Sequence, residues 1–252
     1  MRTLRLGDTE VTRIGLGSNR LSRTPEHVEL IRDAVAAGVQ LIDTAHTYAG
    51  GQSEDTIGTA LGPDSDGSVV ATKGGWNGAR PEVLGAQIEE SLRRLRTETI
   101  SLYYLHRPDP ETPLEESLGA IKEHRDAGQI QDVGVSNVGI KEIERAREVV
   151  PIAAVQNRYN VSDRSHDDVV EYCAREGIVF VPYFPMRGTG SGALAELAAR
   201  RGATETQVAL AWLLKRSPAI LPIPGSLSLA HVKENLAATE LTLSDAEFEA
   251  LL

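Results

Sequence analysis

Four polar residues stand where short β-branched runs give out. Asp43 follows Val39-Gln40-Leu41-Ile42, and Tyr48 lies in the loop beyond it. Lys73 follows Val69-Val70-Ala71-Thr72, and His106 follows Ile100-Ser101-Leu102-Tyr103-Tyr104-Leu105. A carboxylate, a phenol, an ammonium and an imidazole that converge make a proton-transfer site. A free tyrosine ionises at about 10, poorly matched to neutral pH. A neighbouring ammonium favours the phenolate form, and a buried carboxylate would keep that ammonium charged and oriented. Asp43, Lys73 and Tyr48 thus form a candidate relay with Tyr48 as acid. His106 would donate a hydrogen bond to a substrate carbonyl. The group would protonate an oxygen as hydride reaches carbon, chemistry that needs no metal.

Taken singly, each residue has a blander use. A lysine at a strand end is more often solvated or salt-bridged, and a loop histidine is more often structural. Position changes the balance, because the ends of successive parallel strands meet at one face of a barrel. The chain supplies such strands. Eight short β-branched runs are each followed by an amphipathic stretch: 14–17 by 25–37, 40–44 by 53–61, 69–73 by 81–96, and 100–106 by 114–127. The second half repeats the pattern: 132–136 by 139–149, 153–157 by 167–175, 178–182 by 193–200 and 204–215, and 220–224 by 229–238. Alternation of this kind predicts a parallel sheet covered by helices. Thr24-Pro25 and Arg80-Pro81 read as helix starts, and Gly38 and Gly177 as stops. An open doubly wound sheet is the alternative. Its Gly-rich phosphate turn would follow the first strand, where Gly15-Leu16-Gly17-Ser18-Asn19-Arg20 lacks the third glycine. The expectation is an α/β fold, a (β/α)8 TIM barrel, with an N-terminal β-hairpin around Gly7-Asp8. No linker divides residues 1–252, which read as a single domain.

The bulk numbers fit that reading. A length of 252 residues suits one such barrel. Aromatic residues are only 4% of a chain that is 41% hydrophobic, so aliphatic side chains must fill the core. A formal net charge of −10 argues against a phosphate-backbone partner, and no basic tract suggests a membrane surface. The expectation is therefore no nucleic acid and no membrane; the lack of a long exposed apolar stripe adds a monomer, and the single cysteine a cytoplasmic location. The lone Cys173 forbids an internal disulfide and reads as a buried packing residue. The N-terminus has no apolar stretch of signal-peptide type.

The segments Leu41-Ile42-Asp43-Thr44-Ala45-His46-Thr47-Tyr48, Val70-Ala71-Thr72-Lys73-Gly74-Gly75 and Tyr104-Leu105-His106-Arg107-Pro108-Asp109 resemble the aldo-keto reductase family. So do Gly134-Val135-Ser136-Asn137, Val155-Gln156-Asn157 and Pro222-Ile223-Pro224-Gly225-Ser226. The likeness covers essentially the whole chain. It implies a (β/α)8 barrel that reduces aldehydes and ketones with NADPH. Tyr48 would then be proton donor, Asp43 and Lys73 its tuning pair, and His106 the carbonyl-orienting donor. It also implies that Ser136, Asn137 and Gln156 hold the nicotinamide carboxamide and that Tyr183 stacks on its ring. Gly225, Ser226, Ser228 and His231 would meet the adenosine phosphate, and Glu234 and Asn235 the adenine. One departure stands out: no Arg or Lys falls between Gly225 and Val232, where many relatives place one. NADPH remains the expected cofactor, with NADH a possible second.

The loops after the fourth and seventh strands and the C-terminal tail read as short. They predict an open pocket rimmed by Ser18, Asn19, Trp76 and Arg107, with Met186 and Arg187 nearby, for a broad or bulky carbonyl substrate. The glycines between Gly188 and Gly192 suggest a mobile seventh loop, and His46 reads as a loop cap. Two other functions compete. One is a cofactor-binding sensor barrel with little turnover. The other is a lyase or isomerase using Lys73 as a Schiff-base nucleophile, which borohydride trapping would reveal.

Overall fold

The helical stretches between the β-branched runs are long enough to carry the chain back across a sheet, so consecutive strands lie parallel. The computed structural model describes residues 3–63, 67–186 and 192–251. Its strands β3 (Leu16–Gly17), β4 (Leu41–Asp43), β5 (Val69–Gly74), β6 (Ile100–Leu105), β7 (Ile130–Ser136), β8 (Ile152–Gln156) and β9 (Val179–Phe180) form one parallel sheet in chain order. Helices α1 (Pro25–Ala36), α2 (Gln52–Leu61), α3 (Pro81–Leu95), α4 (Leu114–Asp126), α5 (Ile140–Val149) and α6 (Asp167–Glu176) form the crossovers. Helices α7 (Gly192–Arg201), α8 (Glu205–Arg216), α9 (Leu229–Ala237) and α10 (Asp245–Glu249) complete the chain. The start signals act as read: the Thr24 hydroxyl accepts from the His27 amide ahead of Pro25. Thr204 and Ser244 head capping boxes with Gln207 and Glu247.

The eighth run closes the ring without becoming a regular strand. The Gly15 and Gly17 amides donate to the Pro222 and Pro224 carbonyls, and on the other side the Leu221 amide donates to Phe180. Isolated parallel bridges pair Gly17 with Gly225 and Phe180 with Ile220. The irregularity has a chemical cause. Pro222 and Pro224 carry no N–H, so they accept from β3 and cannot donate back.

Side chains alternate across a strand, and this parity builds the barrel interior. Leu41, Val69, Ala71, Leu102, Tyr104, Ala154, Val179, Val181, Leu221 and Ile223 pack into one buried cluster. Continuing the parity puts Asp43, Lys73 and Gln156 in the next layer up. A hairpin of β1 (Thr3–Leu6) and β2 (Thr9–Thr12) sends Leu6 and Val11 into the same cluster. Gly7 in its turn lies against Asp132 near the start of β7, so the hairpin covers the barrel end opposite that polar layer. A second, larger cluster fills the space between sheet and helices.

Room for the Tyr104 ring comes from Gly134 on the neighbouring strand. A Cβ there would sit 2.4 Å from the ring and 2.9 Å from the Ala154 carbonyl oxygen. Gly134→Ala is expected to destabilise the fold by about 1–3 kcal/mol through overpacking. Urea unfolding reads this directly, and an unchanged midpoint would show that the ring has space to retreat.

Candidate active site

The polar layer is organised by an ion pair cut off from water. Lys73 is fully buried on β5, and its Nζ donates to Asp43 Oδ1 on β4 and to the Thr44 carbonyl, both at 2.6 Å. The other Asp43 oxygen accepts from Gln156 Nε2 at 2.8 Å, which ties in β8. Burial alone would lower the Lys73 ammonium's pKa. The charge of Asp43 and the Tyr48 hydroxyl outweigh burial and hold it above the ordinary amine value. Burial and the Asp43 charge push the Tyr104 phenol well up, against an opposing hydrogen bond with Gln156, so Tyr104 serves as a neutral wall.

Tyr48 reaches this layer from a tight turn. Residues Tyr48–Gly51 form a 3-10 helix in which Ala49, Gly50 and Gly51 all take positive φ. The segment is pinned on its N-terminal side at His46. The His46 amide donates to the Lys73 carbonyl, and Arg94 of α3 donates to the His46 carbonyl. Arg94 also pairs with Glu90 and with the fully buried Glu54, while His46 Nε2 lies 2.7 Å from Glu90. Gly51 leaves the space that the Arg94 guanidinium fills. The Lys73 ammonium then lies 5.0 Å from the Tyr48 ring centroid. Such an arrangement can move a proton at the phenol oxygen while the lysine holds the compensating charge.

His106 stands across from Tyr48, with ring centroids 6.1 Å apart and edge to face. Burial, helped by the positive charges of Lys73 and Arg107, lowers its pKa to about 3. The imidazole is therefore neutral at physiological pH and carries one N–H. Its Nδ1 is buried without a hydrogen-bond partner. Trp76 lies 4.7 Å from the imidazole, and the Arg107 guanidinium lies 4.6 Å over the indole.

These groups open into a cleft of about 960 Å³ that runs from Tyr48, Trp76, His106 and Arg107 past Ser136, Asn137 and Tyr183 to Thr206 and Gly225. Asn137, at φ 60°, donates to the His106 carbonyl and to Ser136 Oγ and accepts from the Tyr183 hydroxyl at 2.8 Å. Ser18 and Asn19 line the cleft too, but the Ser18 hydroxyl is bonded to the Asp43 carbonyl and to Ser53. At the far end Ser226 Oγ accepts from the Ser228 amide, which leads into α9 with no side chain capping its N-terminus. Glu234 of α9 accepts from Thr204, Asn235 is buried, and His231 is exposed. Met186 lies on the cleft wall, while Arg187 and most of the expected seventh-loop glycines lie outside the described residues. Cys173 is buried away from the cleft, and burial lifts its thiol to about 12.

Sequence reasoning missed Arg20. Its Nη2 donates to the Gly225 carbonyl at 3.2 Å, which brings a guanidinium to the segment that lacks basic residues of its own.

Comparison with known proteins gives this geometry its family. The Aldo/keto reductase family model matches residues 13–251. The pyridoxine 4-dehydrogenase of Escherichia coli (strain K12) is 36% identical over 277 residues, covering 99% of this chain and 96% of that protein. The chain belongs to the aldo/keto reductase family. A thermostable aldo-keto reductase solved with the inhibitor epalrestat matches at TM-score 0.91 and 35% identity, over 100% of this chain and 98% of that one. An aldo-keto reductase from Klebsiella pneumoniae solved with NADPH matches at 0.91 and 29%, over 99% and 93%. As a family member the chain is an NAD(P)H-dependent oxidoreductase that acts on small-molecule carbonyl compounds. Among the described residues no helix is long and apolar enough to cross a membrane.

Two stability tests follow from the polar layer. Lys73→Met strands the Asp43 carboxylate and is expected to cost about 3–5 kcal/mol, much of it recovered in an Asp43→Asn/Lys73→Met double variant. Equal loss in single and double variants, read by urea unfolding, would contradict the pairing. His106 sets an acid response. Below 6.5 the unfolded chain takes up a proton on this residue, while the folded chain resists until about 3. Its contribution to stability is therefore present above 6.5 and is lost as the pH is lowered, by about 1.4 kcal/mol per unit across that window. His106→Gln is expected to remove that slope, measured as the unfolding midpoint against pH.

Proposed function

We propose that this aldo/keto reductase converts an aldehyde or ketone to its alcohol with NADPH, with Tyr48 as proton donor. The observation that carries the reading is the buried Lys73 ammonium, held by Asp43 against the Tyr48 ring at the floor of the cleft. As Tyr48 gives its proton to the carbonyl oxygen, the developing phenolate meets a cation already in place, so no solvent has to reorganise. Neutral His106 donates its single N–H to the carbonyl and fixes its orientation. A protonated imidazole would compete with Tyr48 as acid, and the lowered His106 pKa prevents this.

The cleft suits a dinucleotide. One end offers amides, a hydroxyl and an aromatic face, and the other an uncapped helix N-terminus, which favours anions. When bound, NADPH supplies the hydride. Ser136, Asn137 and Gln156 would hold its carboxamide and Tyr183 its nicotinamide ring. Gly225, Ser226, Ser228 and His231 would hold the adenosine phosphate, and Glu234 and Asn235 the adenine. Arg20 would provide the positive charge that residues 225–232 lack. No Asp or Glu lies in that stretch to repel a phosphate.

Tyr48→Phe tests the proton donor. Turnover of an aldehyde is expected to fall by at least about 10²-fold, with NADPH affinity unchanged. Full activity would overturn the mechanism. Arg20→Ala tests the phosphate site. NADPH binding is expected to weaken by about tenfold or more, as for loss of a hydrogen bond to a charged group, while NADH binding stays constant and Arg20→Lys recovers part of the loss. Tryptophan fluorescence titration reads both cofactors. An equal effect on the two would remove Arg20 from the account.

A further inference from the structure

The cleft has a charge character opposite to that of the whole molecule. The chain carries a formal net charge of −10. Yet among the described residues the charged side chains on the cleft wall are Asp43, Arg20 and Arg107, and Asp43 is already bound to Lys73 and Gln156. What a ligand meets is therefore cationic. Arg20 is directed to Gly225 at the far end. Arg107 remains, next in the chain to His106 and at the carbonyl end.

Three observations distinguish Arg107 from an ordinary surface arginine. Its guanidinium lies over the face of Trp76, 4.6 Å from the ring centroid. Contact with the indole restricts the guanidinium, and a guanidinium so held can still offer two N–H groups to a bidentate partner. Second, the same indole touches His106 at 4.7 Å, so the guanidinium stands one aromatic ring beyond the carbonyl-orienting imidazole. Third, no carboxylate forms an ion pair with it among the described residues. The nearby carboxylate, Asp109, is engaged elsewhere, with Oδ2 accepting from the Ala79 amide and the Thr112 hydroxyl and Oδ1 from the Glu111 amide. Those bonds hold the loop, and Asp109 acts on Arg107 only as a nearby charge, without a hydrogen bond to the guanidinium.

We propose that Arg107 is a specificity-determining residue that selects carbonyl compounds bearing a carboxylate several bonds from the reacting carbon. Trp76 serves as the platform that holds the guanidinium and as the apolar wall beside the linking carbons. The proposal rests on the carbonyl-reductase reading for its reaction and adds the substrate class. Arg107 and Trp76 are both exposed at the cleft rim, so the gain comes from holding the guanidinium in place, which lowers the ordering cost of pairing with a carboxylate.

The test compares acids with their own methyl esters, which match in shape and lack the charge. 4-Carboxybenzaldehyde and succinic semialdehyde place the carboxylate at two distances from the carbonyl. In the wild-type enzyme with NADPH, at least one acid is expected to exceed its ester by about tenfold in kcat/KM, mainly through KM, as for one charge-assisted hydrogen-bonded contact. Arg107→Gln is expected to bring the acid-to-ester ratio of kcat/KM to about one, whatever it does to the ester itself, and Arg107→Lys to keep part of the preference. Equal acid and ester values for both pairs in the wild type would overturn the proposal. So would an Arg107→Gln variant that loses acid and ester alike, which would reduce Arg107 to a packing partner of Trp76. Equilibrium binding of the same four compounds, followed by tryptophan fluorescence, separates the two levels of the account. If no compound is reduced but the acids bind more tightly and lose that advantage in Arg107→Gln, the carboxylate site stands and the reductase reading falls. If the esters are reduced as well as the acids and bind equally, the reductase reading stands and the carboxylate site falls.

Discussion

An ammonium fully removed from water is the constraint on which the rest of this molecule is arranged. Lys73 has no solvent contact, and an unpaired charge there would be neutralised or would unfold the barrel. Asp43 on the adjacent strand and the Tyr48 hydroxyl reverse the effect of burial, and the Thr44 carbonyl accepts a further hydrogen bond from the ammonium. Asp43 is itself satisfied by Gln156 from across the barrel. Three strands are thereby joined through side chains at the one layer where the interior stops being apolar. Below that layer, aliphatic residues and Tyr104 fill the lumen. Above it lies the cleft.

The supports around this pair are specific in kind. The turn that carries Tyr48 uses three consecutive positive-φ residues. A bare turn of that type would be free to move. Here the Arg94 guanidinium fills the space beneath Gly51 and bonds to the His46 carbonyl, with Glu54 and Glu90 holding the guanidinium in turn. Behind that, Ser18, Thr44 and Ser53 share hydroxyl contacts that fasten the loops after β3 and β4 to α2. His46 is thus part of the anchor beneath the loop. The precision of the site comes from these outer contacts as much as from the four central residues.

Much of this was legible in the sequence because it depends on short-range rules. Parity along β4, β5 and β6 places Asp43, Lys73 and His106 at strand ends, and the β-then-α alternation gives the parallel order. The eighth strand departs from the rule for a reason also written in the chain, since Pro222 and Pro224 cannot donate to a ladder. Long-range contacts were not legible. Arg20 meets Gly225 across 205 residues, and nothing local in Ser18-Asn19-Arg20 announces it. Likewise the Ser18 hydroxyl faces the Asp43 carbonyl, and Gln156 gives its amide to Asp43. The spacing of those residues said only that they lie near a strand end.

The proton relay depends on the ionisation of one amine. An NMR titration of the lysine ζ-nitrogens, with Lys73 assigned by loss of its signal in Lys73→Arg, measures it directly. Lys73 is expected to stay an ammonium to a pH above the ordinary lysine value of 10.5, and to lose that protection in Asp43→Asn. A Lys73 that titrates below the ordinary value in the wild-type protein would mean that burial outweighs Asp43, and the relay to Tyr48 would have no cation.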